Sequence, residues 1–479
     1  MCYSRRVSSP DAEAAPVYGA AAADGDLIRA IGLGSAILFV VGSVIGSGIF
    51  LTTGVMAATM PSTALLLFAW TLGGVLAIAG GLTYAEMGAM FPRSGGVYVF
   101  LKEAYGELPA FLYGWAALLV VISGGIAAVS VGFAEYLSYF FPALSPSVVV
   151  LSVGAGAMRV TISAGQLVAA AVIVVIGAIN YVGVRKGNMV IVVLTAAKVA
   201  ALAALPVMAL LAARVTPALT PVVPPDLGRP AAAFGVAMIA VLWTYEAWYF
   251  VTYAAGEIKD PQRNIPRALV GGLLLLTTIY LVVNLAYFFA LTLDEMRGVT
   301  RIAERAATAL VGSHGATFVA ATVVMSTFGN NVAAMLAGSR LLFGMAADGV
   351  FLPSCRRVHP RYRTPHIAIW ALTIWAAILA LSGSYEQLFT YVMFASILFS
   401  VAAGAAVFKL RRDRPDQPRP YRTWGYPVVP LVFIAGAAAL VVNTLIERPT
   451  ESLTGLGLVL LGLPAYWYWR PPVKSRASS

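Results

Sequence analysis

The sequence predicts an all-α, polytopic membrane protein of about twelve transmembrane helices, and three observations carry that expectation. Hydrophobic residues make up 60% of the 479, and only 11% are charged. A soluble domain carries about 25% charged residues, so a chain this poor in charge cannot coat itself for water. The apolar residues fall into twelve long runs. The basic residues sort onto one side of those runs.

A membrane span needs about 20 mostly apolar residues. The runs cover residues 31–57, 62–90, 108–141, 163–182, 188–212, 231–256, 267–292, 315–346, 366–383, 387–409, 427–446 and 453–469. Backbone amides find no water in lipid, so each run is expected to be a helix that satisfies its own amides. The alternation in short segments that marks a β-barrel is absent. With the N-terminus inside, 23 of the 32 Lys and Arg fall on the cytoplasmic side and 7 outside. Lys198 and Arg340 lie within spans. The bias places both termini in the cytoplasm and supports the even helix count. The formal net charge of +11 is thereby assigned to membrane orientation, not to nucleic acid.

No signal peptide precedes the first run, and residues 1–30 read as a disordered cytoplasmic tail. Residues 94–106 inside and 293–313 outside read as helices, either gates or amphipathic helices lying at the interfaces. Cys2 and Cys355 give no disulfide framework, and His314, His359 and His366 have no metal-ligand spacing. No phosphate-binding GxxxxGK[ST] segment is present, so ATP is not an expected partner and no cofactor is expected.

Two spans carry interruptions. The first contains Gly42-Ser43-Val44-Ile45-Gly46-Ser47-Gly48-Ile49-Phe50. Each glycine weakens a helix by about 1 kcal/mol. Gly46 lies about 15 residues, or about 22 Å, beyond the inner end, near the bilayer middle. An unwound stretch there must line a cavity; the same glycines would also serve close helix packing. The sixth span contains Leu242-Trp243-Thr244-Tyr245-Glu246-Ala247-Trp248. A charge at mid-span costs about 2.5–3.5 kcal/mol on insertion scales. Glu246 is therefore expected to face protein or water, either as a functional carboxylate or as a buried, protonated, hydrogen-bonded one. The interruptions lie five spans apart, the spacing of two inverted repeats with a site at their interface. That divides the chain into a first repeat over 31–212, a second over 231–410, two further helices over 427–469 and a tail over 470–479.

At these residues the chain resembles the amino acid–polyamine–organocation superfamily, most like bacterial relatives of the L-type amino acid transporters. Five segments carry the resemblance: GSVIGSGIF (42–50), YAEMGAMFPRSGG (84–96), TAAKVAA (195–201), WTYEAWYFVTYAAGEIKDPQRNIPRAL (243–269) and STFGNNVAAMLAGSRLLFGMAADGVFLP (326–353). The resemblance implies a LeuT-type fold with broken first and sixth helices, and secondary transport of L-amino acids by alternating access.

It implies site residues as well. The substrate carboxylate would meet the backbone at Gly46, Ser47 and Gly48, where a half-helix begins with free N–H groups and a positive dipole end. The amino group would meet carbonyls near Val44, Trp243 and Glu246, with Thr244 in the same break. Trp243 falls where the family places an aromatic gate.

Lys198 lies about 15 Å deep in the fifth span, where the resemblance places a lysine in the sodium site of sodium-coupled relatives. Sodium independence is the expectation; a structural ion pair with a carboxylate is the other reading. The eighth span has Ala334 where many relatives carry a small hydroxyl residue, leaving Ser326, Thr327, Asn330 and Asn331 as polar neighbours. Glu246 stands where L-type members have glycine, which leaves proton coupling open. It also motivates an alternative, a polyamine or organic-cation transporter of the same superfamily. A nutrient sensor that binds without flux is a further alternative. No paired acids, Ser/His pair or metal set points to an enzyme. Glu86 and Arg93 sit at cytoplasmic helix ends, where ion pairs can lock an inner gate.

Overall fold

The computed structural model describes residues 29–153, 160–225, 227–382 and 385–469. The tails expected over 1–30 and 470–479 lie outside them, except for the last two residues of the first. Helices dominate. The first span consists of α1 (Leu33–Val44) and α2 (Gly48–Thr59), and the second is α3 (Thr63–Met90). A short helix, α4 (Val97–Tyr105), leads to α5 (Glu107–Ala116), which continues through a π-helical turn into α6 (Ile122–Leu137). Spans four and five are α7 (Ala164–Val182) and α8 (Val184–Ala212), and the sixth is split into α9 (Pro230–Tyr245) and α10 (Phe250–Tyr253). Next come α11 (Pro261–Ala290), the short helices α12 (Leu293–Met296) and α13 (Ile302–Val311), and α14 (Ser313–Ala347). The chain closes with α15 (His366–Ser382), α16 (Tyr385–Asp413), α17 (Val428–Glu447), α18 (Pro449–Leu460) and α19 (Gly462–Trp469).

Among the described residues nine helical segments are long and apolar enough to cross a membrane, accompanied by the shorter apolar Pro230–Tyr245 and His366–Ser382. The last expected run is the consecutive pair α18 and α19. The protein is a multi-pass helical membrane protein.

Local chemistry sets the element ends. Ser62 caps α3 by accepting from the Leu65 amide, and Ser163 with Gln166 forms a capping box at α7. Each supplies acceptors to amides that a helix start leaves bare. Proline opens α9, α11 and α18, where its missing N–H costs nothing.

Two features depart from expectation. The segment 293–313 is two helices, not one. A capping box of Thr292 and Glu295 starts α12, and Gly298, at φ +70°, turns the chain before α13 begins. The link between spans three and four holds an antiparallel pair of strands, β1 (Val149–Val153) and β2 (Val160–Ser163). Its β-branched residues favour strand, and Val149, Val150 and Leu151 are exposed.

The most extensive helix contacts join α3 with α11, α6 with α14, and α7 with α15. These are spans two with seven, three with eight and four with nine. A constant offset of five is what a pseudo-two-fold relation between successive five-helix units produces. The interrupted spans one and six pack through α2 and α9, inside this ring of paired helices.

Candidate functional site

The α1 helix stops at Val44, and α2 restarts at Gly48. Between them the Gly46 amide turns back to the Val44 carbonyl at 2.7 Å. A helix start leaves its first amides without intrahelical acceptors. Here the amides of Ser47, Gly48 and Ile49 find no backbone acceptor among the described residues. In the sixth span α9 ends at Tyr245, Glu246 is extended, and Ala247 adopts φ +74° before α10 begins. A left-handed non-glycine residue is uncommon and costs energy, so the surrounding structure must hold it. The Ser43 hydroxyl, donating to the Ala247 carbonyl at 3.1 Å, ties the two breaks together.

Glycine at 48 follows from this crossing. A Cβ there would lie 2.5 Å from the Thr244 hydroxyl oxygen and 2.9 Å from the Thr244 Cα. A Cβ on Gly46 would meet only the Asn330 side chain, at 3.2 Å.

The breaks are held by side chains from distant spans. Lys198 of α8 is fully buried and donates to the carbonyls of Gly42 at 2.8 Å and Ile45 at 2.7 Å. No carboxylate pairs with it among the described residues. Ser326 of α14 donates to the same Ile45 carbonyl at 3.0 Å, so it is the eighth-span residue that shares the lysine's partner. Ala334 lines the cavity instead. Asn330 donates to the Ser43 carbonyl. Tyr280 of α11 bridges the two breaks, donating to the Thr244 carbonyl at 3.0 Å and lying 3.3 Å from that of Val44.

Between the breaks lies a cavity of about 490 Å³. Val44, Gly46, Ser47, Gly48, Trp243 and Glu246 all line it. The third span adds an apolar wall that includes Ile122, Gly125 and Ile126. Thr244 does not line it. Its hydroxyl is turned into the helix crossing, 2.9 Å from the Ala240 carbonyl and 3.2 Å from the Thr52 hydroxyl. The Val44 carbonyl already receives the Gly46 amide and Tyr280, which occupies both its lone pairs. Among the described residues the Trp243 carbonyl receives only the Glu246 amide, at 3.2 Å, and keeps one lone pair open.

At one end of the cavity the Trp243 indole donates to the Tyr385 hydroxyl at 2.9 Å, and that hydroxyl lies 3.1 Å from Ser47. Phe389 stacks on Trp243 at 5.8 Å. The carboxylate of Glu246 takes the hydroxyls of Ser396, at 2.5 Å, and Tyr249, both on Oε1.

Towards the expected cytoplasmic side the helix ends are laced by ion pairs. Glu86, fully buried, accepts from Arg411 at 2.7 and 2.9 Å and from the Thr423 amide at 2.7 Å. Arg93 pairs with Glu103 at 2.7 Å, and Glu103 with Arg414 at 2.8 Å. Lys102 pairs with Asp348 at 2.8 Å. Arg340, within its span, pairs with Glu257 at 2.7 Å with both side chains buried. These contacts tie α3, α4, α14 and α16 to one another.

Sequence reasoning missed Tyr280, Tyr385, Ser396 and the third-span wall. Each is an ordinary residue on an ordinary apolar helix. The available signal was the glycines of span three: a Cβ on Gly132 would lie 2.8 Å from the Ser47 Cβ, at the first break.

Comparison with known proteins agrees with this architecture. The serine/threonine exchanger SteT of Bacillus subtilis is 32% identical over 453 residues, covering 93% of this chain and 97% of that protein. The mouse large neutral amino acids transporter small subunit 2 is 30% identical, covering 97% of this chain and 85% of its own. The human b(0,+)-type amino acid transporter 1 is 30% identical, covering 92% and 88%. A family model described as amino acid permease matches residues 31–461, nearly every helix described above, and the chain belongs to the amino acid permease family.

Proposed function

We propose that the protein carries L-amino acids across the inner cell membrane by alternating access, exchanging one for another without sodium, with both termini in the cytoplasm. Its binding unit is the pair of broken spans from two inverted repeats, 31–212 and 231–410. The observation that carries this reading is the meeting of opposite helix ends at one cavity. The bare amides of Ser47, Gly48 and Ile49 open α2, where the dipole favours a carboxylate. The free lone pair of the Trp243 carbonyl sits at the end of α9, where a cation is favoured. A zwitterion has its two charges placed to match.

The rest of the chemistry follows from the neighbours. Lys198 supplies a fixed positive charge to the carbonyls that end α1, where a bound sodium ion would otherwise neutralise them. Trp243, Tyr385 and Phe389 form a lid over one end, and the Glu86, Glu103 and Asp348 ion pairs close the other. The relatives named above as transporters and an exchanger support an amino acid as cargo and give no support to an enzymatic role.

The test is purified protein in liposomes loaded with unlabelled L-serine. Labelled L-serine is expected to enter at least tenfold faster than into empty liposomes, and at the same rate when choline replaces sodium. Uptake that needs sodium overturns the role given to Lys198. A second reading, transport of an organic cation, is favoured by Glu246 alone; putrescine competing better than alanine, leucine and arginine would establish it. Binding of serine without flux would make the protein a sensor.

A further inference from the structure

Glu246 lies on two cavities at once. It lines the chamber between the broken spans and also a second space of about 460 Å³ bounded by α3, α9, α16 and α17, with Leu76, Tyr245, Met393 and Phe433 in its walls. Both hydroxyls that reach the carboxylate, from Tyr249 and Ser396, donate to Oε1. No side chain among the described residues donates to Oε2, and the one backbone donor to the carboxylate is the neutral Ala247 amide.

The surrounding elements bring no compensating charge. The tyrosines around it are Tyr84 on α3, Tyr113 on α5, Tyr245, Tyr249 and Tyr253 along the sixth span, Tyr280 on α11 and Tyr385 on α16, and the one acid on α3, Glu86, is paired with Arg411. The cations of neighbouring helices are engaged elsewhere: Lys198 with the carbonyls of Gly42 and Ile45, Arg340 with Glu257, and Arg411 with Glu86. An unpaired charge buried in a membrane interior is strongly disfavoured. Glu246 therefore needs a neutralising positive charge whenever the chamber is closed to both sides.

Resting on the exchange reading above, we infer that Glu246 makes net charge constant: a neutral amino acid travels with a proton on Oε2, and an amino acid with a cationic side chain travels without one. The proton is taken from water on the side where the substrate enters and released on the side where it leaves, so the carboxyl is restored each cycle. The side-chain ammonium or guanidinium occupies the place of that proton on Oε2. Alanine plus a proton and arginine alone then each carry one positive charge into the chamber.

The consequence is specific. Exchange of external L-alanine for internal L-arginine moves one proton inward per arginine released, with no net charge. Without the proton, the same exchange moves one positive charge outward. The experiment uses the full chain in liposomes loaded with arginine and a pH-sensitive dye. The expected result is acidification of the lumen on adding alanine, at a rate indifferent to a potassium–valinomycin potential and raised several-fold by an acidic exterior. Exchange that responds to the potential and leaves the lumen pH unchanged overturns the inference while leaving amino acid exchange intact. Failure of every amino acid to exchange overturns both.

Glu246→Gln separates a positioning role from a charge-carrying one. It is expected to abolish the acidification and to lower the rate for arginine relative to alanine at least tenfold. Should that variant not fold, Glu246→Asp keeps the carboxylate and is expected to keep the acidification. An aspartate variant that exchanges alanine for arginine with no acidification overturns the inference.

Discussion

Lys198 shows what one side chain does when its partners are backbone. Its ammonium meets the Gly42 and Ile45 carbonyls, which the end of α1 leaves open. A hydrogen bond to a charged group contributes about 1.5–3 kcal/mol. Lys198→Met is therefore expected to lower exchange at least tenfold and to reduce the melting temperature; a variant as active and as stable as the parent would remove the lysine from the mechanism. The glycines make a paired expectation. Gly48→Ala drives a methyl group against the Thr244 backbone and is expected to cost about 1–3 kcal/mol. Gly46→Ala meets only the end of the Asn330 side chain and is expected to cost less. Melting temperatures of the two variants check the order. Cys355, outside the spans, is buried, and that burial pushes its thiol up to about 11. The thiolate is scarce below that pH, so Cys355 is expected to resist maleimide at pH 7.5 and to react only as the pH approaches 11 or the protein unfolds. At this scale the sequence was informative wherever a residue was out of place in lipid. Lys198, Glu246 and the glycines were legible for that reason. Tyr280 and Ser396 were not, because a hydroxyl on an apolar helix is commonplace and its partner lies on another span, 36 residues away for Tyr280 and 150 for Ser396.

The elements were legible in proportion to their hydrophobic length. Spans of 20 to 30 apolar residues leave no alternative to a helix, and the twelve runs agree with the described helices to within a few residues at most ends. The strand pair escaped notice because two strands of five and four residues carry little periodicity. The division between α12 and α13 depends on one glycine turn. The inner mouth shows how elements act together. Glu86 on α3 is held by Arg411 on α16 with no exposure of the carboxylate, and breaking a buried pair costs about 3–5 kcal/mol. Glu86→Gln is expected to loosen this mouth. A cysteine placed by Val121→Cys, in the cavity wall, should then react at least fivefold faster with an impermeant maleimide applied from the inner side. An unchanged rate would reduce Glu86 to a structural role.

For the molecule as a whole, the paired helices place the moving parts inside a frame. Spans two, three and four each lie against their counterparts seven, eight and nine, while the broken spans pass between them. The offset of five was foreshadowed by two irregular segments in the sequence, but the pairing itself is a property of three dimensions that no periodicity records. The positive charge beneath the first break has a further consequence. A sodium ion comes and goes with the composition of the bath, whereas an ammonium attached to the chain is present in fresh water and in brine alike. Because it never leaves, it transmits no push from outside to inside. On the exchange reading, a protein built this way draws nothing from a sodium gradient; accumulation of one amino acid is expected to follow the outward passage of another and the inward passage of protons.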